Sequence, residues 1–485
     1  MPNSISKNYT YNLAYQLLLI ITPIITTPYV SRILGANNIG IYEYTSSIAN
    51  YFIIFACLGL SLYGQREIAY TRDREQERDK LFWELVALRC VLALLGVLIY
   101  ASSLMRFSQY STYFAVLLIN LLASILDVSW FYQGVENFKT TAVRNFTVKT
   151  AGIALIFIFV KSESDLTAYF LCYSVPVLVG NISLWPQMKK YIGRTKVTFK
   201  GICGHLKPVL LLFLPQLAVS IYTLLDKSML GLITQDTAQV GYYGQADKVI
   251  KLALTALTSM GLVVMPRVAG YFSKGHMNEI KRVVHKSINF VFLLGFPMVM
   301  GIVGTADYFV PWFFGEGYGA VIPLLRALSP IVLFIGVSNV LGVQFLLPTM
   351  RTKEYTISVL TGAAVNILLN IVLIANFAAM GAAIATVAAE LCVTVVQVSF
   401  VRKDIDLKSF LKMPGKYIAA SCTMLIVILL TGSALKAAPY AAMVQVTAGL
   451  VVYPAVLILM RDSFFVDRVH LSVKKLLRRS TKSRE

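Results

Sequence analysis

Charged side chains inside long apolar runs are the residues of this chain that could do chemistry. A charged group at the centre of a bilayer costs about 2.5–3.5 kcal/mol, so it faces the interior of a helix bundle, faces water or pairs with another charge. The cations predicted to line a binding cavity are Arg32, Arg89, Lys149, Lys227, Lys248, Lys251 and Arg326. The acids in the same runs are Glu84, Asp127, Asp226, Asp247 and Glu390. The small surplus of cations favours a phosphate-bearing ligand, which lysine and arginine bind through charge-assisted hydrogen bonds.

Pairing is the competing interpretation of these cations. Asp247 and Lys251 are four residues apart, the spacing of an intrahelical ion pair. Lys227 and Lys248 could likewise pair with Asp226 and Asp247 or extend to a water interface. Both interpretations stay open for the lysines.

Four carboxylates are candidate carriers of a coupling ion, either H⁺ or Na⁺. A carboxylate that binds and releases a cation inside the membrane can couple transport to an ion gradient. These candidates are Asp127, Asp226, Asp247 and Glu390.

The composition indicates that membrane helices must position these residues. Of the 485 residues, 57% are hydrophobic and 14% are charged, whereas a soluble globular chain is about 25% charged. At about 20 residues per crossing, the apolar runs predict fourteen spans, the first at about 12–34 and the last at about 440–460. We therefore predict an all-α polytopic membrane protein, and we exclude a soluble enzyme, a secreted disulfide scaffold and a single-pass receptor.

The net charge of +20 would suggest nucleic-acid binding in a soluble chain. Most of the 44 lysines and arginines, however, fall in the gaps after even-numbered spans and in the two tails, whereas the odd-numbered gaps hold Arg32, Arg106, Lys161 and Lys436. The positive-inside bias then places both termini in the cytoplasm. No basic stripe is left for a nucleic acid, and the cations of the tail can contact anionic lipid headgroups.

Short matches about 200 residues apart indicate an internal duplication. Leu34-Gly35 matches Leu230-Gly231, and Gly40-Ile41-Tyr42 matches Gly241-Tyr242-Tyr243. Six spans per copy give both copies the same orientation in the membrane. We predict two parallel six-helix lobes, 1–200 and 201–410, followed by two further helices and a basic cytoplasmic tail in 411–485.

Prolines interrupt the first span of each predicted lobe. Pro23 and Pro28 lie in span one and Pro215 lies in span seven. Proline leaves backbone carbonyls unpaired and kinks or hinges a membrane helix. Such helices fit lobes that rock about a cavity, and static packing kinks are the alternative. Neither the six cysteines nor the four histidines show metal-ligand spacing, so no metal or other cofactor is expected.

Several segments resemble those of the Wzx-type polysaccharide flippases, which belong to the superfamily of multidrug, oligosaccharidyl-lipid and polysaccharide exporters. The resemblance covers roughly residues 10–400 and includes four segments in the family's order. These segments are TPYVSRILGANNIGIYEY, LGLSLYGQREIA, the run that includes VGYYGQADKVIK, and LSPIVLFIGVSNVLGVQFLLP.

The resemblance implies a transporter in the bacterial cytoplasmic membrane and not an enzyme. Such proteins flip an undecaprenyl-pyrophosphate-linked oligosaccharide from the cytoplasmic to the outer leaflet by alternating access, for capsule, exopolysaccharide or O-antigen assembly. It implies that a cationic cavity accepts the sugar-pyrophosphate head, with Arg32, Lys248 and Lys251 as its best contacts, while the lipid tail stays in the bilayer. The implied partners are membrane lipids, a polysaccharide polymerase and glycosyltransferases.

Three other functions compete with this one. A flippase for the peptidoglycan precursor lipid II also has fourteen spans and a cationic cavity, and a MATE-like multidrug exporter shares the two-lobe plan. A membrane polymerase would be expected to carry a large outer loop with clustered Arg and His. The longest outer gap, at about 307–322, holds only Asp307 and Glu316 as charges, which argues against the polymerase.

Overall fold

A computed structural model describes residues 5–105, 109–404, 414–435 and 440–466. Within its helices, the side chains of 5–17, 105, 212, 214–222 and 262–263 lie outside this description, as does the basic tail beyond 466. Every regular element in the described ranges is a helix, so the predicted all-α class is confirmed. Hydrocarbon offers the backbone no hydrogen-bond partner, and a helix satisfies its own N–H and C=O groups.

The chain forms two compact units, of which the first contains the residues up to Gly244 together with Asn370–Ala382. Local sequence marks the starts of some of its helices. Asn137 accepts a hydrogen bond from the backbone N–H of Thr140, and Thr198 accepts one from that of Gly201, as N-cap residues do. The helices are α1 (Ile5–Cys57), α2 (Leu60–Thr71), α3 (Glu75–Tyr100), α4 (Ser111–Ile125), α5 (Ser129–Gly134), α6 (Phe138–Phe159), α7 (Leu166–Ile182), α8 (Trp185–Met188), α9 (Phe199–Thr234) and the start of α10 (Thr237–Thr258).

Helix α1 contains the first predicted span and most of the second, joined at a bend. Gly35 has φ 71° and ψ 170°, a conformation that glycine adopts without the steric penalty of a Cβ atom. Pro23 and Pro28 lie in the part of α1 before the bend. Pro215, their predicted counterpart, lies among the side chains outside the description. The role of these prolines as hinges therefore stays a prediction.

The second unit contains Gln245–Leu369 and Ala383–Glu485. Helix α15 is broken at Ala378, where φ is 48° and ψ is −127°, and its stretch Asn370–Ala382 belongs to the first unit. The remaining helices are α11 (Gly261–Ser273), α12 (Met277–Phe314), α13 (Val321–Leu328), α14 (Ile331–Ser338), α15 (Thr352–Val401), α16 (Pro414–Leu435) and α17 (Ala441–Leu459), with a π-helical stretch at Asn339–Leu346.

The last two helices, α16 and α17, pack against each other and against α12. The hydroxyl of Tyr308 donates a hydrogen bond to the carbonyl of Gly432 at 2.7 Å, and that of Tyr453 donates to the carbonyl of Leu293 at the same distance. A buried phenol normally requires such a partner. Helices α16 and α17 are thus an integral part of the second unit.

Ten helical stretches within the described residues are long and apolar enough to cross a membrane. Two of these, Leu18–Thr71 and Thr352–Val401, are bent stretches of 54 and 50 residues, each more than twice the length that one crossing requires. Helix α10, the predicted eighth span, is not among the ten because Asp247, Lys248 and Lys251 interrupt its apolar run. The multi-pass class is confirmed, whereas the count of fourteen and the lobe boundaries at 200 and 410 stay predictions.

Two glycines allow α1 and α10 to touch backbone to backbone inside the first unit. A Cβ atom on Gly40 would lie 1.6 Å from the carbonyl oxygen of Thr237, and one on Gly241 would lie 2.1 Å from that of Ala36. The hydroxyl of Thr237 also donates a hydrogen bond to the side-chain oxygen of Asn37. Gly40 and Gly241 are the two glycines that the sequence matches pair with each other, and in the structure they are in contact.

Replacing Gly40 by alanine should destabilise the protein, because the new methyl group would overlap the backbone of α10. The matched control is Gly96→Ala in α3, where the nearest atoms to a new Cβ are 3.7 and 4.0 Å away. Alanine favours a helix over glycine by roughly 1 kcal/mol, so the control should be neutral or slightly stabilised. Size-exclusion chromatography of detergent-solubilised protein after a heating series measures both variants. Equal midpoints for the two variants would contradict the proposed contact.

Candidate functional site

Lys149 is a predicted site cation that lines a crevice in the first unit. It lies on α6, is half-buried, and borders a crevice of about 40 Å³ together with Thr22, Thr26 and Tyr173. The hydroxyls of Thr22 and Thr26 donate to carbonyls of their own helix at 2.7 and 2.9 Å. In the described part of the chain, no carboxylate lies within 4 Å of the Lys149 ammonium. A cation placed here is suited to receive an anion from outside the protein.

Lys227 is paired with a residue that the sequence analysis missed. Its ammonium lies 2.9 Å from a carboxylate oxygen of Glu43, and their side chains are 13% and 10% exposed. Glu43 sits on α1 inside predicted span two. An acidic residue within an apolar run was the available signal for it. The pair connects α1 to α9, so Lys227 has a positioning role whether or not it also meets a ligand.

Asp226, the neighbour of Lys227 on α9, has different partners. Its carboxylate accepts hydrogen bonds from the hydroxyl of Tyr243 and from the side-chain amide of Asn370, both at 2.7 Å. Asp226 is 4% exposed and Asn370 is fully buried. These two bonds hold a buried carboxylate next to the buried pair of Glu43 and Lys227. The sequence predicted Asp226 as a candidate coupling residue but contained no signal for Tyr243 or Asn370.

Arg89 occupies a buried position between helices of the first unit. It is 3% exposed and donates to the hydroxyl of Ser61 at 3.0 Å and to the backbone carbonyl of Asp127. The carboxylate of Asp127 accepts from the backbone N–H of Ser129 at 3.0 Å and lies 3.4 Å from a guanidinium nitrogen of Arg144. These bonds anchor the segment after α4, so both residues position helices.

Glu84 and Arg32 complete the predicted residues of the first unit. The buried carboxylate of Glu84 lies 3.2 Å from His205, whose other ring nitrogen lies 2.9 Å from the hydroxyl of Tyr63. Arg32 is exposed on α1, three residues before the bend at Gly35.

The predicted residues of the second unit are described separately. Lys251 is 53% exposed and its ammonium lies 2.7 Å from Asp247, the intrahelical pair that the spacing allowed. Arg326 lies 2.6 Å from Asp307 on α12, and both are partly exposed. Lys248 is half-buried, and Glu390 is buried on α15.

A cavity of about 460 Å³ lies beside the last two helices in the second unit. Its lining is almost entirely apolar and includes Leu293, Met298, Phe309, Met424, Leu450 and Phe465. Such a surface holds hydrocarbon and excludes ions.

Together these observations define a class of protein. A bundle of long apolar helices that holds ion pairs, a buried carboxylate and a lysine-lined crevice inside its apolar runs is typical of a membrane transporter. Within the described residues, no group of three or more His, Cys, Asp or Glu side chains could hold a metal ion.

The family is shown by a family model described as "Polysaccharide biosynthesis protein", which matches residues 5–272. This match covers more than half of the chain, and the protein therefore belongs to that family.

Three known proteins place this membership in context. A protein of Escherichia coli (strain K12) named "Putative O-antigen transporter" is 26% identical over 408 residues, which are 83% of this chain and 97% of that protein. A protein of Haloferax volcanii named "Probable low-salt glycan biosynthesis flippase Agl15" is 22% identical over 78% of this chain and 80% of its own length. The solved structure "Lipid II flippase MurJ, inward closed conformation" superposes with a TM-score of 0.72 at 16% identity, over 94% of this chain and 99% of that one. This last likeness shows the fold.

Breaking the buried pair from one side should destabilise the protein more than removing both charges. Lys227→Met leaves the Glu43 carboxylate without its cation, and such a loss costs about 3–5 kcal/mol for a buried pair. Adding Glu43→Gln should restore part of the thermal stability, because the residue that lost this cation is then neutral. Lys251→Met, at an exposed pair, is the control and should change stability little. Melting of the purified variants tests this. A double variant that melts below Lys227→Met would refute the pairing.

Proposed function

We propose that this protein moves an undecaprenyl-pyrophosphate-linked oligosaccharide from the cytoplasmic to the outer leaflet of the bacterial cytoplasmic membrane, by alternating access and without covalent chemistry. The observation that carries the proposal is the 26% identity to the Escherichia coli relative over 97% of that protein's length. Family membership supports a role in polysaccharide biosynthesis, and the Haloferax relative's name supports lipid flipping. The translocated unit would serve O-antigen, capsule or exopolysaccharide assembly.

The two chemistries of this substrate match two features of the structure. The pyrophosphate is anionic, and Lys149 presents a half-buried cation in the crevice of the first unit. The polyprenyl chain is hydrocarbon, and the cavity of about 460 Å³ in the second unit has an apolar lining. Because the chain already lies in hydrocarbon, it can enter an apolar cavity without a desolvation cost, and packing contacts then hold it there. Export of the anion also gains about 2.3 kcal/mol per charge for each 100 mV of an inside-negative potential.

The remaining predicted cations differ in how well their surroundings suit a contact with the substrate. Arg32, Lys248 and Lys251 stay candidate contacts for phosphate or sugar, and Arg326 stays a weaker one because of its pair with Asp307. The distribution of cations among the gaps supports a cytoplasmic location for both termini. The proposed partners are a polysaccharide polymerase and glycosyltransferases that make and use the lipid-linked unit.

Asp226 is the carboxylate that we propose for coupling to H⁺ or Na⁺. It is buried and accepts hydrogen bonds from Tyr243 and Asn370, whereas Asp127 and Asp247 are only half-buried. Glu390 is a second buried carboxylate. Binding of a cation at Asp226 would neutralise its charge and change the balance around the neighbouring pair of Glu43 and Lys227.

A lipid II flippase is the second candidate function, favoured by the likeness of fold to MurJ at a TM-score of 0.72. The two candidates handle the same lipid carrier and differ in the attached sugar. The identity to the O-antigen relative favours the oligosaccharide unit. A multidrug exporter is the third alternative. It ranks lower because a cavity for drugs would be expected to be less cationic than the crevice that contains Lys149.

The experiment that separates these functions is deletion of the gene in its own host. The proposal predicts loss of surface polysaccharide and accumulation of the lipid-linked unit on the cytoplasmic leaflet, with cell-wall synthesis unchanged. Rescue of cells depleted of their lipid II flippase, together with normal surface polysaccharide in the deletion strain, would instead establish the second candidate.

In the same strain, Lys149→Gln should lower export about tenfold or more, because one charge-assisted hydrogen bond contributes roughly 1.5–3 kcal/mol. Arg282→Gln is the matched control, since Arg282 is 65% exposed in a surface pair with Glu279. Surface polysaccharide and protein abundance are measured for both. Full export by Lys149→Gln at normal abundance would exclude Lys149 from the site.

Asp226→Asn should remove the dependence of transport on an imposed ion gradient, because an amide cannot exchange a proton or balance a bound Na⁺. Purified protein in liposomes is assayed with H⁺ and Na⁺ gradients applied separately. Asp73→Asn, at a side chain that is 91% exposed, should keep the wild-type dependence. An Asp226→Asn variant that still responds to the same gradient would rule out this carboxylate as the carrier.

A further inference from the structure

Seven aromatic side chains form one continuous run of ring contacts in the first unit. They come from three segments that are far apart in the sequence: α1, the start of α4, and α7. Successive ring centroids along the run are 4.9–6.5 Å apart. The members of this aromatic run are Tyr42, Tyr44, Tyr110, Tyr113, Tyr169, Phe170 and Tyr173.

Tyr42 is the centre of the aromatic run. Its ring centroid lies 4.9 Å from that of Tyr169, 5.0 Å from that of Phe170 and 5.6 Å from that of Tyr173. Phe170 in turn stacks on Tyr113, with centroids 4.9 Å apart and planes at 17°. These are favourable aromatic geometries, so the rings are held in fixed relative positions.

Two hydroxyls separate this run from ordinary core tyrosines. The buried phenols of Tyr100, Tyr132 and Tyr453 each donate to a backbone carbonyl at 2.7 Å. Those of Tyr44 and Tyr113 have no hydrogen-bond partner among the described residues, and both side chains are only half-buried. Packing alone would be served as well by phenylalanine, which carries no hydroxyl to satisfy.

From this arrangement we propose that the aromatic run binds the sugar rings of the transported lipid-linked oligosaccharide. A sugar ring has an apolar C–H face that stacks on an aromatic ring, and hydroxyls at its rim that exchange hydrogen bonds with phenols. Neutral sugars give a cation little to hold, so a site for them needs groups of this kind. The inference rests on the proposed function and names the part of the substrate that this surface takes.

Tyr173 connects the aromatic run to the crevice that contains Lys149. Both residues line that crevice, and Tyr173 also contacts the rings of Tyr42 and Tyr169. In the substrate, the first sugar is attached directly to the diphosphate. A diphosphate at Lys149 therefore places the first sugar beside Tyr173 and Tyr42. The following sugars would meet the other half-buried tyrosines of the run, whereas Tyr169 and Phe170 are buried behind them.

The test compares two lipids that differ only in their sugar. Undecaprenyl pyrophosphate without sugar is the first probe, and the sugar-bearing lipid extracted from the host's deletion strain is the second. Binding of each to the full-length protein in nanodiscs is measured for the wild type, Tyr173→Leu and Tyr173→Phe. Tyr173→Leu should bind the sugar-bearing lipid roughly five- to tenfold more weakly and the sugar-free lipid unchanged. Tyr173→Phe should weaken the sugar-bearing lipid less than Tyr173→Leu does, because the ring is retained and only the hydroxyl is lost, and it should leave the sugar-free lipid unchanged. Lys149→Gln should weaken both.

The outcomes are distinguishable from one another. An equal loss for both lipids in Tyr173→Leu, or no loss for either, would overturn the sugar-binding role. If the wild type binds neither lipid, the proposed function itself fails, and this inference with it. Should Tyr173→Leu not yield folded protein, Tyr113→Leu takes its place, since Tyr113 is half-buried at another point of the run, and the same selective loss is required.

Discussion

A polar group inside hydrocarbon has no water to bind, and this constraint determines where each charged and hydroxyl side chain of the protein is placed. The hydroxyls of Thr26 and Thr305 donate hydrogen bonds to carbonyls one turn earlier in the same helix. Buried charges are supplied with partners from other helices, as Lys227 is by Glu43. Such partners hold helices together as well as satisfying the charge, because each bond fixes two elements at one distance. The helix arrangement and the polar contacts are therefore one solution to a single requirement.

A polar group in the membrane interior that lacks a partner within the protein is a candidate for binding a ligand. Among the described residues, no carboxylate lies within 4 Å of the Lys149 ammonium, and the phenols of Tyr44 and Tyr113 have no hydrogen-bond partner. These groups lie in the same unit, where Tyr173 both borders the crevice of Lys149 and belongs to the aromatic run. An amphipathic ligand with an anionic centre and a polar, ring-shaped head would complete all of them together. The cavity beside the last two helices is lined by apolar side chains and is therefore suited to a hydrocarbon chain.

Features that depend on neighbours along the chain were predictable from the sequence. The lengths of the apolar runs gave the all-helical membrane class, and a spacing of four residues gave the pair of Asp247 and Lys251. Features that depend on tertiary packing were not predictable. Glu43 and Lys227 are separated by 184 residues, and no local periodicity links them. The aromatic run likewise joins residues from three stretches of chain, each of which on its own reads as ordinary aromatic content of a membrane helix.

The contact between Gly40 and Gly241 has a consequence for how such a chain can evolve. If the two positions descend from one ancestral residue, duplication produced a surface that recognises its own copy, much as a symmetric dimer does. The contact then requires glycine at both positions, since a side chain on either one would separate the same two backbones. The rest of each copy would then be free to diverge in its charges and cavities. At this contact both copies must keep glycine, because a larger residue in one copy cannot be compensated by a substitution in the other.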